Sequence, residues 1–136
     1  MNKRKVYLCG PIEAIPLTEA NEWRKKATKL LSDSCEILDP CRRLHTFEMK
    51  QMKRIFELDL RDIRECDIVL VNLDLMYDKP SHGTAQEMFF AHYVLKKPVI
   101  AFKSEMTKIH PFIENTTTEW RSSVDKACDT ILAEYL

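Results

Sequence analysis

The sequence predicts an α/β fold, a doubly wound domain in which a five-stranded parallel sheet carries helices on both faces. Three observations predict it. Short apolar runs of strand length alternate with longer segments whose apolar residues recur at helical spacing. The clearest run, Asp67–Leu73 (Asp-Ile-Val-Leu-Val-Asn-Leu), is continuous and β-branched, as in a strand covered on both faces. The 136 residues hold two glycines, Gly10 and Gly83, where average usage would supply about ten. That scarcity excludes collagen-like and linker-rich chains, and β-barrels that need glycine at many bends.

Each element follows in turn. Val6–Cys9 is a first strand, stopped by Gly10-Pro11. Thr18–Ser32 is a helix with Ala20, Trp23, Ala27, Leu30 and Leu31 on one side and Glu22, Arg24, Lys25 and Lys29 on the other. Cys35–Leu38 is a second strand ended by Asp39-Pro40. A polar, basic loop leads to a helix over about Thr46–Glu65, where Met52, Ile55, Phe56, Leu60 and Ile63 keep helical spacing. After Asp67–Leu73 come a loop over Leu75–Pro80, a helix over Ser81–Lys97 and a fourth strand at Pro98–Phe102. A long loop through His110-Pro111 reaches a fifth strand at Thr116–Arg121, and Ser122 is read as the N-cap of the last helix, with Asp125 three residues on. No repeat or linker interrupts this series, so one domain is expected over residues 1–136.

Right-handed crossovers place the ligand cleft outside the carboxyl ends of the strands. Tyr7–Ile12, Asp39–His45, Leu73–Thr84 and Lys103–Asn115 then share one rim, and both glycines fall on it.

Charge and cysteine content narrow the function. Lys plus Arg equals Asp plus Glu, 21 each, so nothing in the whole chain draws it to nucleic acid or an anionic membrane. Arg42, Arg43, His45, Lys50, Lys53 and Arg54 form one local basic stretch, read as a solvated loop and helix face. Five scattered cysteines (Cys9, Cys35, Cys41, Cys66 and Cys128) show no CxxC or zinc-finger spacing. They suit free thiols in a reducing cytoplasm, and no cofactor or metal is expected. The opening Met-Asn-Lys-Arg-Lys leads straight into a short apolar run, which predicts neither a signal peptide nor a membrane span.

The third helix carries the chemistry. Gly83–Leu95 contains one charge, Glu87, on a stripe with Gly83, Ala91 and Val94. A carboxylate there either tips to solvent beside Gln86 or is held by partners, because burial without them is costly. Ser81 can cap the helix, leaving the N–H groups of Gly83 and Thr84 to face an anion such as a phosphate. Asp59 is a second candidate acid, with Asp62, Glu65 and Asp67 close by in a run where most acids are expected at the surface. Tyr7 either aims its hydroxyl at the cleft or belongs to the core. No P-loop, dinucleotide fingerprint, nucleophile elbow or phosphatase loop is present.

Four segments resemble the nucleoside 2-deoxyribosyltransferase family, including its 2′-deoxynucleoside 5′-monophosphate N-glycosidase branch. They are Val-Tyr-Leu-Cys-Gly-Pro-Ile at 6–12, Asp-Leu-Arg-Asp-Ile-Arg-Glu-Cys-Asp-Ile-Val-Leu at 59–70, Pro-Ser-His-Gly-Thr-Ala-Gln-Glu at 80–87 and Lys-Pro-Val-Ile at 97–100. In order and spacing they cover most of the chain, with 39–56 and 103–116 poorly matched. The resemblance implies a flavodoxin-like (Rossmann-like) sheet of order 2-1-3-4-5. It implies that Glu87 attacks the anomeric carbon of a deoxyribose, that Tyr7 orients this carboxylate, and that Asp59 helps protonate the departing base. Gly10, Ile12, Ser81, Gly83 and Thr84 would bind substrate. His110 and Asn115 would reach the site of a neighbouring subunit in a homodimer or higher homo-oligomer.

Where the transferases typically have an Asp that binds the sugar 5′-hydroxyl, six residues before the nucleophile, this chain has Ser81, as the monophosphate hydrolases do. A hydroxyl at a helix N-terminus suits a phosphate, whereas Asp repels one. Glu13 departs from that branch, which has a basic residue in the first loop, so Arg42, Arg43, His45 or a neighbouring subunit would have to meet the phosphate. The expected function is hydrolysis of a deoxynucleoside monophosphate to free base. The alternatives are base exchange between deoxynucleosides and a catalytically silent nucleotide-binding module. A scaffold built on the 46–65 helix has no motif behind it.

Overall fold

The computed structural model describes residues 2–12, 15–46, 51–76 and 81–136, without the side chains of 44–46. The strands are β1 (Arg4–Cys9), β2 (Cys35–Leu38), β3 (Ile68–Asn72), β4 (Val99–Phe102) and β5 (Glu119–Arg121), and the helices α1 (Leu17–Leu31), α2 (Met52–Glu65), α3 (His82–Phe89), α4 (Pro111–Glu114) and α5 (Val124–Glu134). All four strand pairs are parallel, and the order is β2-β1-β3-β4-β5.

The two-residue period of a strand divides the core between the faces of the sheet. Val6, Leu8, Ile68, Leu70, Ile100 and Phe102 pack with Trp23, Ala27 and Leu31 of α1 and Ala127, Cys128 and Ile131 of α5. Tyr7, Cys9, Val69, Val71, Val99 and Ala101 pack with Ile63 of α2, Met88 of α3 and Ala91. The chain leaves β1 toward one face and β3 toward the other, which opens a crevice between the carboxyl ends of these neighbouring strands. All five cysteines are free, and four of them (Cys9, Cys35, Cys66 and Cys128) are buried. Among the described residues no helix is long and apolar enough to cross a membrane.

Several local expectations change. Arg24, assigned by its charge to the polar side of α1, is fully buried. Its guanidinium donates to the Ala20 and Gly10 carbonyls at 2.6 and 3.0 Å, lies 3.5 Å from Asp39 and stacks 4.6 Å from the Trp23 ring centroid. The helix expected over Ser81–Lys97 is α-helical to Phe89 and widens into a π-turn over Phe90–Val94, ending where Lys96 takes a φ of 57°. The wider turn rotates Val94 off the Glu87 stripe and into solvent, at 56% exposure. Lys97 then donates to the carbonyls of Ile63, Arg64 and Cys66, covering the C-terminus of α2.

The loop after Asp39 is a 3₁₀ run over Pro40–Thr46, and α2 begins at Met52; residues 47–50 lie outside the described set. The apolar stripe of α2 is only partly covered, with Phe56 51% exposed. The long loop includes one helical turn, α4, started by Pro111. Ser123 rather than Ser122 caps α5, because its Oγ accepts from the Lys126 N–H at 3.2 Å.

Candidate active site

The strand period puts Tyr7 and Cys9 side by side on the α2–α3 face, both fully buried. α3 turns Glu87 down onto them. The Tyr7 hydroxyl donates to Oε2 at 3.0 Å, and the Cys9 thiol lies 3.4 Å from Oε1. Of the two readings of Glu87, the inward one holds: it is partly buried, while Gln86 is exposed. Tyr7 likewise does both things the sequence left open, since its ring is core and its hydroxyl meets the cleft carboxylate.

Asp59, on α2, is the next acid. Arg43, from the 3₁₀ run after β2, forks between two carboxylates, reaching Asp59 Oδ1 at 2.6 Å and Asp62 Oδ2 at 2.7 Å. Arg42 also reaches Asp62 Oδ2, at 2.6 Å, and donates to the Asp39 carbonyl. Asp62 is therefore no surface acid; it is 2% exposed. The two arginines considered as phosphate partners are occupied by these carboxylates. The His45 side chain and Glu13 lie outside the described residues.

Electrostatics follow from this arrangement. Burial pushes the Glu87 carboxyl up to about 7, helped by the charge of Asp59 and opposed by the Tyr7 and Cys9 hydrogen bonds and by Arg24. Burial also lifts Asp59 to about 6, against the pull of Arg43. Tyr7 and Cys9 titrate well above their ordinary values, chiefly through desolvation and then through Glu87, so both stay protonated and remain donors. Between pH 6 and 7 the two carboxyls thus hold about one proton between them.

The α3 N-terminus forms the next part of the rim. Ser81 Oγ accepts from the Thr84 N–H at 3.3 Å and donates to Thr84 Oγ1 at 2.8 Å, so the Thr84 amide is spent on the cap instead of facing the cleft. Gly83 is exposed, and nothing lies within 4 Å of a Cβ placed on it. Gly10 differs. A Cβ there would sit 3.0 Å from the Trp23 ring and 3.6 Å from Arg24, so its lack of a side chain serves packing. Ile12 is partly buried at the end of the same segment. His110 caps α4 through Nδ1, Asn115 ends it, and both are exposed.

Cys9 and Arg24 were not singled out as site residues, and Arg43 was considered only as a phosphate partner, not as the partner of Asp59. For Cys9 the signal was its position two residues after Tyr7 on one strand face. For Arg24, buried beneath the Gly10 carbonyl, it was the i, i+3, i+4, i+7 series Ala20, Trp23, Arg24, Ala27, in which position outweighs charge. Arg43 falls in the poorly matched 39–56 segment, and the basic stretch that marks it reads as a solvated face, with no local sign of its carboxylate partners.

Known proteins sharpen this picture. No curated protein matches the chain. Among solved structures, a conserved protein from Enterococcus faecalis V583 superposes with a TM-score of 0.75 at 14% identity, covering 96% of this chain and 98% of that one. The 2-deoxyribosyltransferase of Bacillus psychrosaccharolyticus gives 0.72 at 20% identity, covering 92% and 90%. The 2-desoxiribosyltransferase of Leishmania mexicana gives 0.71 at 17%, covering 98% and 99%. At these identities the likeness is one of fold. The family model described as nucleoside 2-deoxyribosyltransferase matches residues 6–134, from β1 through α5. The chain is therefore an enzyme that belongs to the nucleoside 2-deoxyribosyltransferase family.

Proposed function

We propose that this protein cleaves the N-glycosidic bond of a 2′-deoxynucleoside 5′-monophosphate and releases the free base by hydrolysis. The observation that carries this reading is the Glu87 carboxylate, held on one oxygen by Tyr7, on the other by Cys9, and close enough to Asp59 to feel its charge. One Glu87 oxygen bonds to the anomeric carbon as the C–N bond breaks. The bonding pair leaves with the base, which takes a proton from Asp59. Water then attacks the anomeric carbon and breaks its bond to Glu87, giving the sugar hydroxyl and the free carboxylate, and its other proton returns to Asp59, as in retaining glycosidases.

The open approach to Gly83 and the Ser81 cap, with its hydroxyl where an acid would repel an anion, support a 5′-phosphate at the α3 N-terminus. A homo-oligomer is supported by exposed Phe56, Phe89, Tyr93 and Val94 on the helical layer that covers the site face. A second reading, base exchange between deoxynucleosides, is favoured by the names of two structural neighbours, both deoxyribosyltransferases.

Chromatography of deoxynucleoside monophosphates, incubated with and without a second base, separates the readings. Hydrolysis requires base release without an acceptor; a new glycoside formed only with an acceptor makes the protein a transferase. Glu87→Ala should keep nucleotide binding and lose turnover. Turnover that survives undiminished removes Glu87 from the role of nucleophile, and binding without turnover in the unmutated protein leaves a binding module.

A further inference from the structure

We propose that Cys9 is a positioning residue for the reaction, its thiol holding Oε1 of Glu87 as Tyr7 holds Oε2, so that the carboxylate is fixed at both oxygens. The inference rests on the reading of Glu87 as nucleophile and adds a second, weaker donor to it.

The geometry comes from the strand. Cys9 is the last residue of β1, fully buried, with its Sγ 3.4 Å from Glu87 Oε1 and 4.0 Å from the Thr84 carbonyl. A thiol has one proton to give, and the carboxylate is the nearer and more basic acceptor. A side chain that only filled this place would need no donor. The difference between the donors has a consequence. Tyr7 Oη makes an ordinary O–H···O bond at 3.0 Å, whereas S–H is a weak donor. Oε2 is therefore anchored, while Oε1 is oriented with little loss of electron density. Oε1 is the oxygen left to bond to the anomeric carbon. As that bond forms and the C–N bond breaks, the thiol keeps its proton, and the base is protonated from Asp59.

The groups facing Glu87 are Tyr7 and Cys9 from β1, Asp59 from α2 and Arg24 from α1. Only the Cys9 contribution is removed by substitution at position 9. A donor to the ionised form lowers a carboxyl pKa, so its loss moves the titration to higher pH.

The test uses two variants that fill β1 without a donor, Cys9→Ala (smaller) and Cys9→Val (slightly larger), with Glu87→Gln as a control. The pH profile of kcat/KM is measured on a deoxynucleoside monophosphate, and the Glu87 carboxyl is titrated by ¹³C NMR in the unliganded protein. Because the Glu87 value lies above that of Asp59, the limb that follows Glu87 is the descending one; both variants are expected to move that limb and the NMR midpoint up by about half a pH unit, with kcat falling about fivefold and KM changing less than about twofold. A packing effect would act in opposite directions in the two variants and leave the midpoint in place. If Glu87→Gln is inactive but the midpoint stays where it was in both variants, the Cys9 proposal is overturned and the nucleophile reading stands. If Glu87→Gln turns over normally, both fall.

Discussion

Asp62 and Glu87 are two inward-turned carboxylates on helices covering the same face of the sheet, and they are treated in opposite ways. Asp62 is 2% exposed and receives two arginines on one oxygen, at 2.6 and 2.7 Å. Glu87 receives a phenol and a thiol, and among the described residues no cation lies within ion-pair distance of it. The first arrangement neutralises a charge and ties the segment after β2 to α2. The second leaves a carboxyl whose ionisation is disfavoured by burial, which marks Glu87 as a candidate for chemistry. Asp59 lies between them, paired with Arg43 yet pushed up to about 6.

The largest effect is expected at Asp62. Asp62→Asn removes the buried carboxylate that Arg42 and Arg43 share, and a loss of about 3 kcal/mol is expected in urea unfolding. Next, Asp59→Asn keeps the fold's shape but removes the proposed proton donor, so kcat should fall about 10²-fold with little change in KM. In the unmutated protein, Glu87 at about 7 and Asp59 at about 6 predict a bell-shaped kcat/KM profile centred between those values.

Glu87→Gln sharpens the contrast through stability. With its carboxyl raised from the ordinary 4.5 to about 7, the folded chain binds more protons than the unfolded one within that window. The contribution to stability is full below 4.5 and is lost as pH rises through 7. The variant should therefore match the parent near pH 4 and exceed it at pH 8 by on the order of 3 kcal/mol, read from thermal melts.

The smallest effects separate the glycines. Gly10→Ala must displace the Trp23 ring and should lower stability by about 1 kcal/mol. Gly83→Ala meets open space in a helix and should raise it by about 0.5 kcal/mol. Gly83→Val should leave the fold intact and abolish deoxynucleotide binding, measured by calorimetry.

Most of the fold was legible because its signals are local. The unbroken β-branched run at Asp67–Leu73 could only be a central strand, and the spacing in Thr18–Ser32 could only be a helix. Boundaries were less legible where side-chain hydrogen bonds decide them, as with Ser123 in place of Ser122. The π-turn at Phe90–Val94 has no composition signal, since the same residues continue an α-helix equally well. Glu87 stood out as a lone charge in an apolar segment. The arginines did not, because a charged side chain reads as solvent-facing unless its partners, distant in sequence, are known.

Local patterning was enough for the alternation of strands and helices, the burial of the central strand and the placing of Glu87 on the third helix, because each rests on residues a few positions apart. Tertiary structure decided which charges became structural and which stayed available. Arg43 meets Asp59 and Asp62 across 16 and 19 residues, and Tyr7 and Cys9 meet Glu87 across 80 and 78. The ionisation of a carboxyl depends on what surrounds it within a few ångströms, and only folding brings those groups together.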